Sequence, residues 1–488
     1  MSTAEATGLR LKNFVNGEQV DALSGAVSEV RDPATGELVG FVPKGGAEDA
    51  KRAIDAADAA FEAWSDTGVQ ERARLLSKAH DAVHHHVPEL AALLNKEQGK
   101  PVSEAMTEIE HFLHGLDFYA GLATKVRGAH VSLPDFPNKN AFGLVMRRPI
   151  GVCAGIVPWN FPITLMGTKV GPALVAGNTM VIKPAGSTPM TAIRVIELMN
   201  EAGLPKGVLN IVTGPGSSVG EELISNAKVR RVAFTGASNT GQHIMEVAGR
   251  TFKRVTLELG GSDPMIVCDD ADLARAASMG AVGRYFNCGQ QCLGVKRMYV
   301  FENVYDAFVE QLVAKVKKLK VGLGTEKDTR IGPLHTDAQR AEVQEQVEDA
   351  IKRGGKVLAG GKAASGFKTS NFFEPTLMVD VPHDSRLVQE EVFGPALPVF
   401  KVKDLDEAIR LANSSMFGLG SSIWTKDLSR ANKAANKIQA GITWINSLHY
   451  GYDELPFGGV KMSGIGREHG PEALDYYIEP KGVVYAGL

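Results

Sequence analysis

Residues 229–249 read VRRVAFTGASNTGQHIMEVAG: an apolar run interrupted by two arginines, a turn bearing two glycines, then apolar residues at three- and four-residue spacing. That is the pattern of a strand, a turn and a helix. A glycine-bearing turn at such a junction aims backbone N–H groups and the positive end of the helix at a phosphate. Working outward, the β-rich runs Val145-Met146, 152–157, 180–182 and 209–212 alternate with helical stretches, the signature of βα units around a parallel sheet. A second alternating series begins near Pro264 with PMIVCDD and runs to Trp444-Ile445-Asn446. Two α/β domains are therefore expected, joined near 257–263. Residues 47–119 read as helical, Ala-rich packing material punctuated at Pro88 and at Gly99-Lys100-Pro101, and the tail Gly482-Val483-Val484-Tyr485 reads as a strand in need of a partner.

The chain has 488 residues, 44% apolar and 22% charged. That composition argues against disorder, collagen-like repeats and coiled coils. Its 53 basic and 56 acidic residues leave a formal charge of -3, so no field steers it to nucleic acid or an anionic membrane surface. No run approaches the ~18 consecutive apolar residues of a membrane span, and the N-terminal stretch lacks the apolar core of a signal peptide. Cys153, Cys268, Cys288 and Cys292 are too few and too irregularly spaced for a disulfide framework. A reducing, cytoplasmic setting is expected.

Gly236 and Gly241 enclose four residues, but Gln242 follows where a Walker turn requires lysine. Gly214-Pro215-Gly216 with Gly220 is one residue too long for the dinucleotide fingerprint. Each is either a phosphate cradle or a plain turn. Residues 283–297, GRYFNCGQQCLGVKR, hold Cys288 and Cys292 at helical spacing. The two are either small buried hydrophobes, or one is a nucleophile favoured by its glycine-bearing turn; a metal pair lacks further ligands nearby. Helical spacing holds Cβ atoms about 5–6 Å apart, beyond the ~3.5–4.5 Å of a disulfide, so none is expected.

Glu258, in LELGG (257–261), ends an apolar strand where a carboxylate has no packing value; it is a cap, a salt-bridge residue or a functional base. Asn160, in VPWNFP (157–162), is an amide among apolar residues and a candidate oxyanion donor. Lys183 closes a β run and points an ammonium where cofactor hydroxyls or phosphates would lie. His84, His85 and His86 with His80 invite a metal reading. On a helix only His80 and His84 share a face, and no metal is expected.

The motifs PWNFP, KPA, FTGASNTG, LELGG, GQQC, EEVFGP and PFGGVKMSGIGRE, in this order across most of the chain, closely resemble the NAD(P)-dependent aldehyde dehydrogenase superfamily. The resemblance implies an α/β fold in three parts: a Rossmann-like cofactor domain (1–130 and 149–257), an α/β catalytic domain (258–477) and a small β oligomerisation element (131–148 and 478–488). In that scheme the tail extends the hairpin sheet of another subunit, giving a homodimer or homotetramer. Cys292 is implied as the nucleophile that attacks the aldehyde carbon, with the Asn160 amide and the Cys292 backbone N–H holding the oxyanion. Hydride then passes to the nicotinamide, and Glu258 deprotonates the water that hydrolyses the thioester. Lys169 and Glu468 stand where the family often has a proton-relay pair; ordinary surface residues are the alternative. The resemblance assigns Lys183 to the adenosine ribose, Ser238 and the Gly236 turn to the pyrophosphate, Glu391 to the nicotinamide ribose and Phe393 to packing near the ring. Ile156, Trp159, Gly186, Gly216, Thr235 and Leu259 complete the implied cofactor site.

Two departures refine the expectation. Strongly NAD-preferring members carry Glu directly after the Lys-Pro-Ala/Ser run, whereas this chain has Gly186 and then Ser187; NADP is expected to be accepted beside NAD. The texture is also similar to the succinate-semialdehyde branch, which binds the substrate carboxylate with arginines, yet the aligned positions hold Thr168 and Phe286. An uncharged or aromatic aldehyde is therefore the expected substrate, in a pocket of Phe161, Thr168, Phe286, Gln291, Leu293, His449 and Tyr450. Arg284 is the one remaining candidate anchor for a carboxylated semialdehyde, the alternative substrate. The CoA-acylating branch generally lacks the general-base glutamate, so Glu258 argues against it. A non-catalytic protein on this fold has no need to keep Cys292, Glu258 and Asn160 together, and a cofactor-free cysteine hydrolase has no need of Lys183, Glu391 or the glycine turn.

Overall fold

The computed structural model of the protein describes residues 8–486; residues 1–7 and 487–488, at the ends of the expected cofactor domain and oligomerisation element, lie outside the described residues. Residues 229–249 form the strand Val229–Thr235 and the helix Ser238–Gly249. The strand belongs to an eight-stranded sheet that runs, edge to edge, Gly464–Ile465, Arg254–Glu258, Val229–Thr235, Val152–Ile156, Thr179–Lys183, Leu209–Ile211, Asn13–Val15 and Glu18–Val20. The five strands from Arg254–Glu258 to Leu209–Ile211 are parallel and mostly buried, as the continuous apolar runs of a doubly covered sheet require. The three outer strands are only two or three residues long and pair antiparallel. Strands that short carry no readable periodicity.

Residues 47–122 form four helices: α1 (Ala47–Asp66), α2 (Val69–His84), α3 (Val87–Gln98) and α4 (Val102–Leu122). Gly99, in the left-handed region at φ 100, stops α3, the usual role of a glycine after a helix. Helix α5 (Thr164–Val175) lies against α4 through glycines. A Cβ on Gly167 would stand 2.7 Å from the Phe112 ring, and one on Gly171 2.7 Å from the Tyr119 ring. This close approach fixes Glu108 and His111 of α4 relative to Lys169 of α5.

A second sheet runs Lys356–Ala359, Thr376–Val379, Ala396–Val402, Val295–Phe301, Asp263–Val267, Gly420–Trp424 and Ile442–Ile445, parallel throughout except at the Lys356 edge. The chain passes from the first sheet to the second through residues 259–262 and returns at Gly464–Ile465 to pair with Leu257 and Glu258.

Three expectations are corrected. Val145-Met146 belongs not to the parallel sheet but to a three-stranded antiparallel one made of Ala129–Ser132, Phe142–Pro149 and Ile478–Tyr485. The tail strand, expected in another subunit's sheet, pairs within its own chain from Ile478 opposite Pro149 to Tyr485 opposite Phe142. The reason is the Asn178 side chain, which accepts from the N–H groups of Ile150 and Gly151 and donates to the Tyr477 carbonyl at 2.8 Å, tying the ends of both strands together. Cys288 and Cys292 are not on a helix: the helix Leu273–Tyr285 ends before them, and Asn287 and Cys288 take left-handed φ of 50 and 55. No helix among the described residues is long and apolar enough to cross a membrane.

Because α4 and α5 touch through Gly167, Gly167→Val is expected to cost about 1–3 kcal/mol by overpacking, read as a lowered denaturant midpoint. Gly249→Ala, where an added Cβ meets nothing within 4 Å, should leave that midpoint unchanged or raised.

Candidate active site

Cys292 follows the left-handed turn at Asn287-Cys288, a conformation that costs an L-residue about 1–2 kcal/mol and is held by buried hydrogen bonds. The Asn287 N–H donates to Glu104 at 2.8 Å, its side-chain amide donates to the Asn160 carbonyl at 3.0 Å, and Gln98 donates to its Oδ1 at 3.2 Å. The Asn160 amide donates to the Gln290 carbonyl at 3.0 Å, which leaves its second N–H free for an oxyanion. Lys100, read from the sequence as loop punctuation, is buried; it pairs with Glu108, donates to the Asn160 carbonyl at 2.7 Å and lies 4.0 Å from the centre of the Phe161 ring. Cys153, Cys268 and Cys288 are buried and Cys292 is half-buried. Burial pushes the Cys292 thiol up to about 12, against the pull of the Lys296 ammonium.

Glu258 is buried with neither carboxylate oxygen hydrogen-bonded. Burial first, and then the charge of Glu468, holds its carboxyl well above the usual carboxylate range. Lys169 and Glu468 are not surface residues: Lys169 is 0% and Glu468 4% exposed. The Lys169 ammonium donates to Glu468 Oε1 and to Thr235 Oγ1, each at 2.8 Å. Thr168, expected in the substrate pocket, lies outside it. Its place on α5 beside Lys169 turns the hydroxyl to Glu468 Oε2 at 2.7 Å.

Two hollows meet at Cys292. A cleft of about 380 Å³ is lined by Trp159, Asn160, Thr235, Gly236, Leu259, Glu391 and Phe393, among others. Glu391 is fixed by the Gly261 N–H at 2.9 Å and by the Lys296 ammonium at 2.6 Å. Phe393 meets Trp159 edge-on at 5.6 Å, and Trp159 stacks on His335 at 4.6 Å. Ile156 and Lys183 lie outside this cleft, paired at the carboxyl ends of adjacent parallel strands, where open α/β sheets take their ligands. Burial pulls the Lys183 ammonium down to about 8, and the Pro184 carbonyl at 3.2 Å is its one hydrogen-bond acceptor among the described residues. Gly216 opens a helical turn at 216–220, and a Cβ on Gly220 would lie 3.8 Å from the Lys183 chain. Gly186 is exposed with open space around it. The Ser238 hydroxyl donates to the Met462 carbonyl at 3.1 Å.

The second hollow, about 240 Å³, brings together Phe161, Phe286, Gln291, Cys292, Leu293, His449 and Tyr450. Phe161 and Phe286 are parallel, centroids 6.2 Å apart. His449 places Nδ1 3.0 Å from the Leu293 carbonyl and stacks on Trp444 at 4.5 Å. Arg284, the remaining candidate anchor, is outside this hollow; it is fully buried and its Nη2 braces the carbonyls of Gly289, Val392 and Gly394. Sequence reading missed His111 and His469 in the same wall, because they come from α4 and from beyond the second sheet. His80 and His84 stack at 5.9 Å on α2, remote from either hollow's lining.

A half-buried thiol with a free amide donor beside it, a buried unpartnered carboxylate and a long cleft opening on the same sulfur can carry acyl chemistry with a second ligand alongside. Since the thiol is raised, alkylation by iodoacetamide in the native protein should be confined to Cys292. Its rate should climb close to tenfold per pH unit between about pH 7 and 9 as the thiolate fraction grows. Peptide mass spectrometry over a pH series checks both.

Residues 20–483 match the family described as "Aldehyde dehydrogenase family". The chain is 43% identical to the glutarate-semialdehyde dehydrogenase of Pseudomonas putida, over 99% of each chain. It is 40% identical to the succinate-semialdehyde dehydrogenase [NADP(+)] GabD of Escherichia coli, again over 99% of each. A crystal structure of an E. coli NADP dependent enzyme superposes with a TM-score of 0.95 at 40% identity, covering 98% of both chains. With the fold, the thiol, the buried carboxylate and these likenesses in agreement, the chain belongs to the aldehyde dehydrogenase family.

Proposed function

We propose that this enzyme oxidises an uncharged or aromatic aldehyde to its carboxylic acid without CoA, and that Cys292, Asn160, Glu258, Lys169 and Glu468 carry the reaction. The Cys292 thiol gives up its proton to water, the thiolate attacks the aldehyde carbon, and the oxyanion is received by the free Asn160 N–H and the Cys292 backbone N–H. Hydride acceptance from the thiohemiacetal carbon is the chemistry that a bound nicotinamide dinucleotide would supply. The cleft fits such a group: Lys183 has ammonium protons to spare for ribose hydroxyls, Glu391 is anchored for a second ribose, and Phe393 and Trp159 supply flat walls. Glu258 then takes a proton from the water that cleaves the thioester. Lys169 and Glu468 lead that proton away, since each is buried and bonded to the other.

The observation that carries the substrate reading is the pocket wall. Neither lysine nor arginine lines the 240 Å³ hollow, while Phe161, Phe286, Leu293 and Phe457 do. The semialdehyde dehydrogenases among the relatives favour a second reading, a carboxylated aldehyde. NAD(P)H formation over aliphatic, aromatic and carboxylated aldehydes, with Cys292→Ala as the blank, decides between them; turnover confined to carboxylated aldehydes overturns the first. We further propose the cofactor, catalytic and oligomerisation parts at the boundaries expected above, with self-association as a homodimer or homotetramer through the exposed sheet of Ala129–Ser132, Phe142–Pro149 and Ile478–Tyr485. The free cysteines favour a cytoplasmic setting.

Glu258→Gln should leave a burst of NAD(P)H of about one equivalent per site and slow the steady state about 10²–10⁴-fold, the usual contribution of a general base; stopped-flow absorbance separates the two phases. In the wild type, deacylation should quicken as pH rises through the raised Glu258 pKa, because the ionised form is the base. The open space at Gly186 leaves room for a 2′-phosphate, so kcat/KM with NADP should fall within a hundredfold of that with NAD, a gap smaller than about 2.7 kcal/mol.

A further inference from the structure

One part of the aldehyde pocket has hydrogen-bonding chemistry that the reaction does not use. His469 is 4% exposed and holds a left-handed backbone at φ 52, a region that histidine enters more readily than most residues. Its Nδ1 lies 2.7 Å from Asp453 Oδ1, and His114 Nδ1 lies 2.7 Å from Asp453 Oδ2. Burial works against ionisation of Asp453, but these two hydrogen bonds hold its carboxyl below the usual value. An ionised carboxylate only accepts, so His469 Nδ1 donates to it and Nε2 is the ring's second hydrogen-bonding atom. Nε2 has no hydrogen-bond partner among the described residues.

The surroundings leave that atom open. A Cβ on Gly451 would come to rest 3.6 Å from His469 Nε2 and 3.9 Å from His111 Cε1, and Gly451, His111 and His469 all line the hollow that holds Cys292. His111 lies between Tyr450 and His469, stacked on each at 5.0 and 6.0 Å. Burial, opposed by Asp453, pulls its imidazole down to about 4, so it is neutral near pH 7. The donor atoms of His111, Asp453 and His469 lie within 4.8 Å of one another, close enough to hold a metal ion. Both Asp453 oxygens, however, already receive a histidine N–H, and a hydrogen-bonded network accounts for the group.

We propose that the Asp453–His469 pair, with Gly451 giving access, is a hydrogen-bonding site that selects aldehydes carrying a hydroxyl group on a flat apolar body. A ring nitrogen braced by a carboxylate hydrogen-bonds a hydroxyl, and an apolar isostere would leave Nε2 unpaired, the arrangement that discriminates most strongly. The inference rests on the reading above that the substrate body is uncharged.

The test compares 2-, 3- and 4-hydroxybenzaldehyde with the corresponding methylbenzaldehydes, which match them in size and lack the donor, at a pH below the ionisation of the phenols. In the wild type at least one hydroxyl isomer should exceed its methyl partner tenfold or more in kcat/KM. In His469→Asn the amide keeps the donor to Asp453 and tolerates positive φ, but Nε2 is gone, and the ratio should fall towards one. Gly451→Ala, which sets a methyl before Nε2, should lower the same ratio by an independent route. Ratios near one in the wild type overturn this inference alone, and a ratio that survives both variants overturns the assignment to His469. Absence of turnover on every aromatic aldehyde, with carboxylated ones accepted, overturns the underlying substrate reading instead.

Discussion

The site depends on Glu258 and the four residues after it, 259–262, at which the chain leaves one sheet for the other. Glu258 is paired on both sides, with Thr235 in a parallel strand and Gly464 in the returning one. Just beyond, the Leu259 N–H donates to the Ser463 carbonyl, the Gly261 N–H to Glu391, and Lys296 to the Gly261 carbonyl. Pairing on both sides fixes the backbone of Glu258, whose side chain is buried. The carboxylate stays buried and unpartnered, a costly arrangement that the surrounding structure must enforce. The fold thereby holds a carboxyl of raised pKa where the chain passes between the two sheets.

A second constraint acts from below. The left-handed turn before Cys292 is tolerable only because Glu104, Gln98 and Asn160 satisfy Asn287. Asn160 is in turn held through Lys100, whose charge is balanced by Glu108 of α4. Removing one member of such a buried pair strands the other's charge, so the position of Asn160 is coupled to α4. The glycine contacts between α4 and α5 thus serve the geometry of the site as well as the core.

Much of the fold was legible because parallel strands buried on both faces leave unbroken apolar runs, and strand 229–235 with helix 238–249 is the clearest case. The strands Asn13–Val15, Glu18–Val20 and Gly464–Ile465 were not, since two or three residues have no period. The tail illustrates a different limit: its β character was plain, but its partner was not, because Asn178 decides that pairing through contacts nearly 300 residues apart in sequence.

The sequence alone determined the chemistry: a cysteine, a glutamate and an amide in ordered motifs, a Gly186 where a carboxylate was expected, and no arginine at the two aligned anchor positions. Those are local facts about side chains and their neighbours in the chain. Tertiary structure decided the environment: that Lys169 and Glu468 are a buried pair, that Thr168 faces Glu468 rather than the pocket, that Arg284 braces three carbonyls, and that His111, Asp453 and His469 meet in the pocket wall. Burial, hydrogen-bond partners and hence protonation are set by residues brought together from different elements, and no spacing along the chain encodes them.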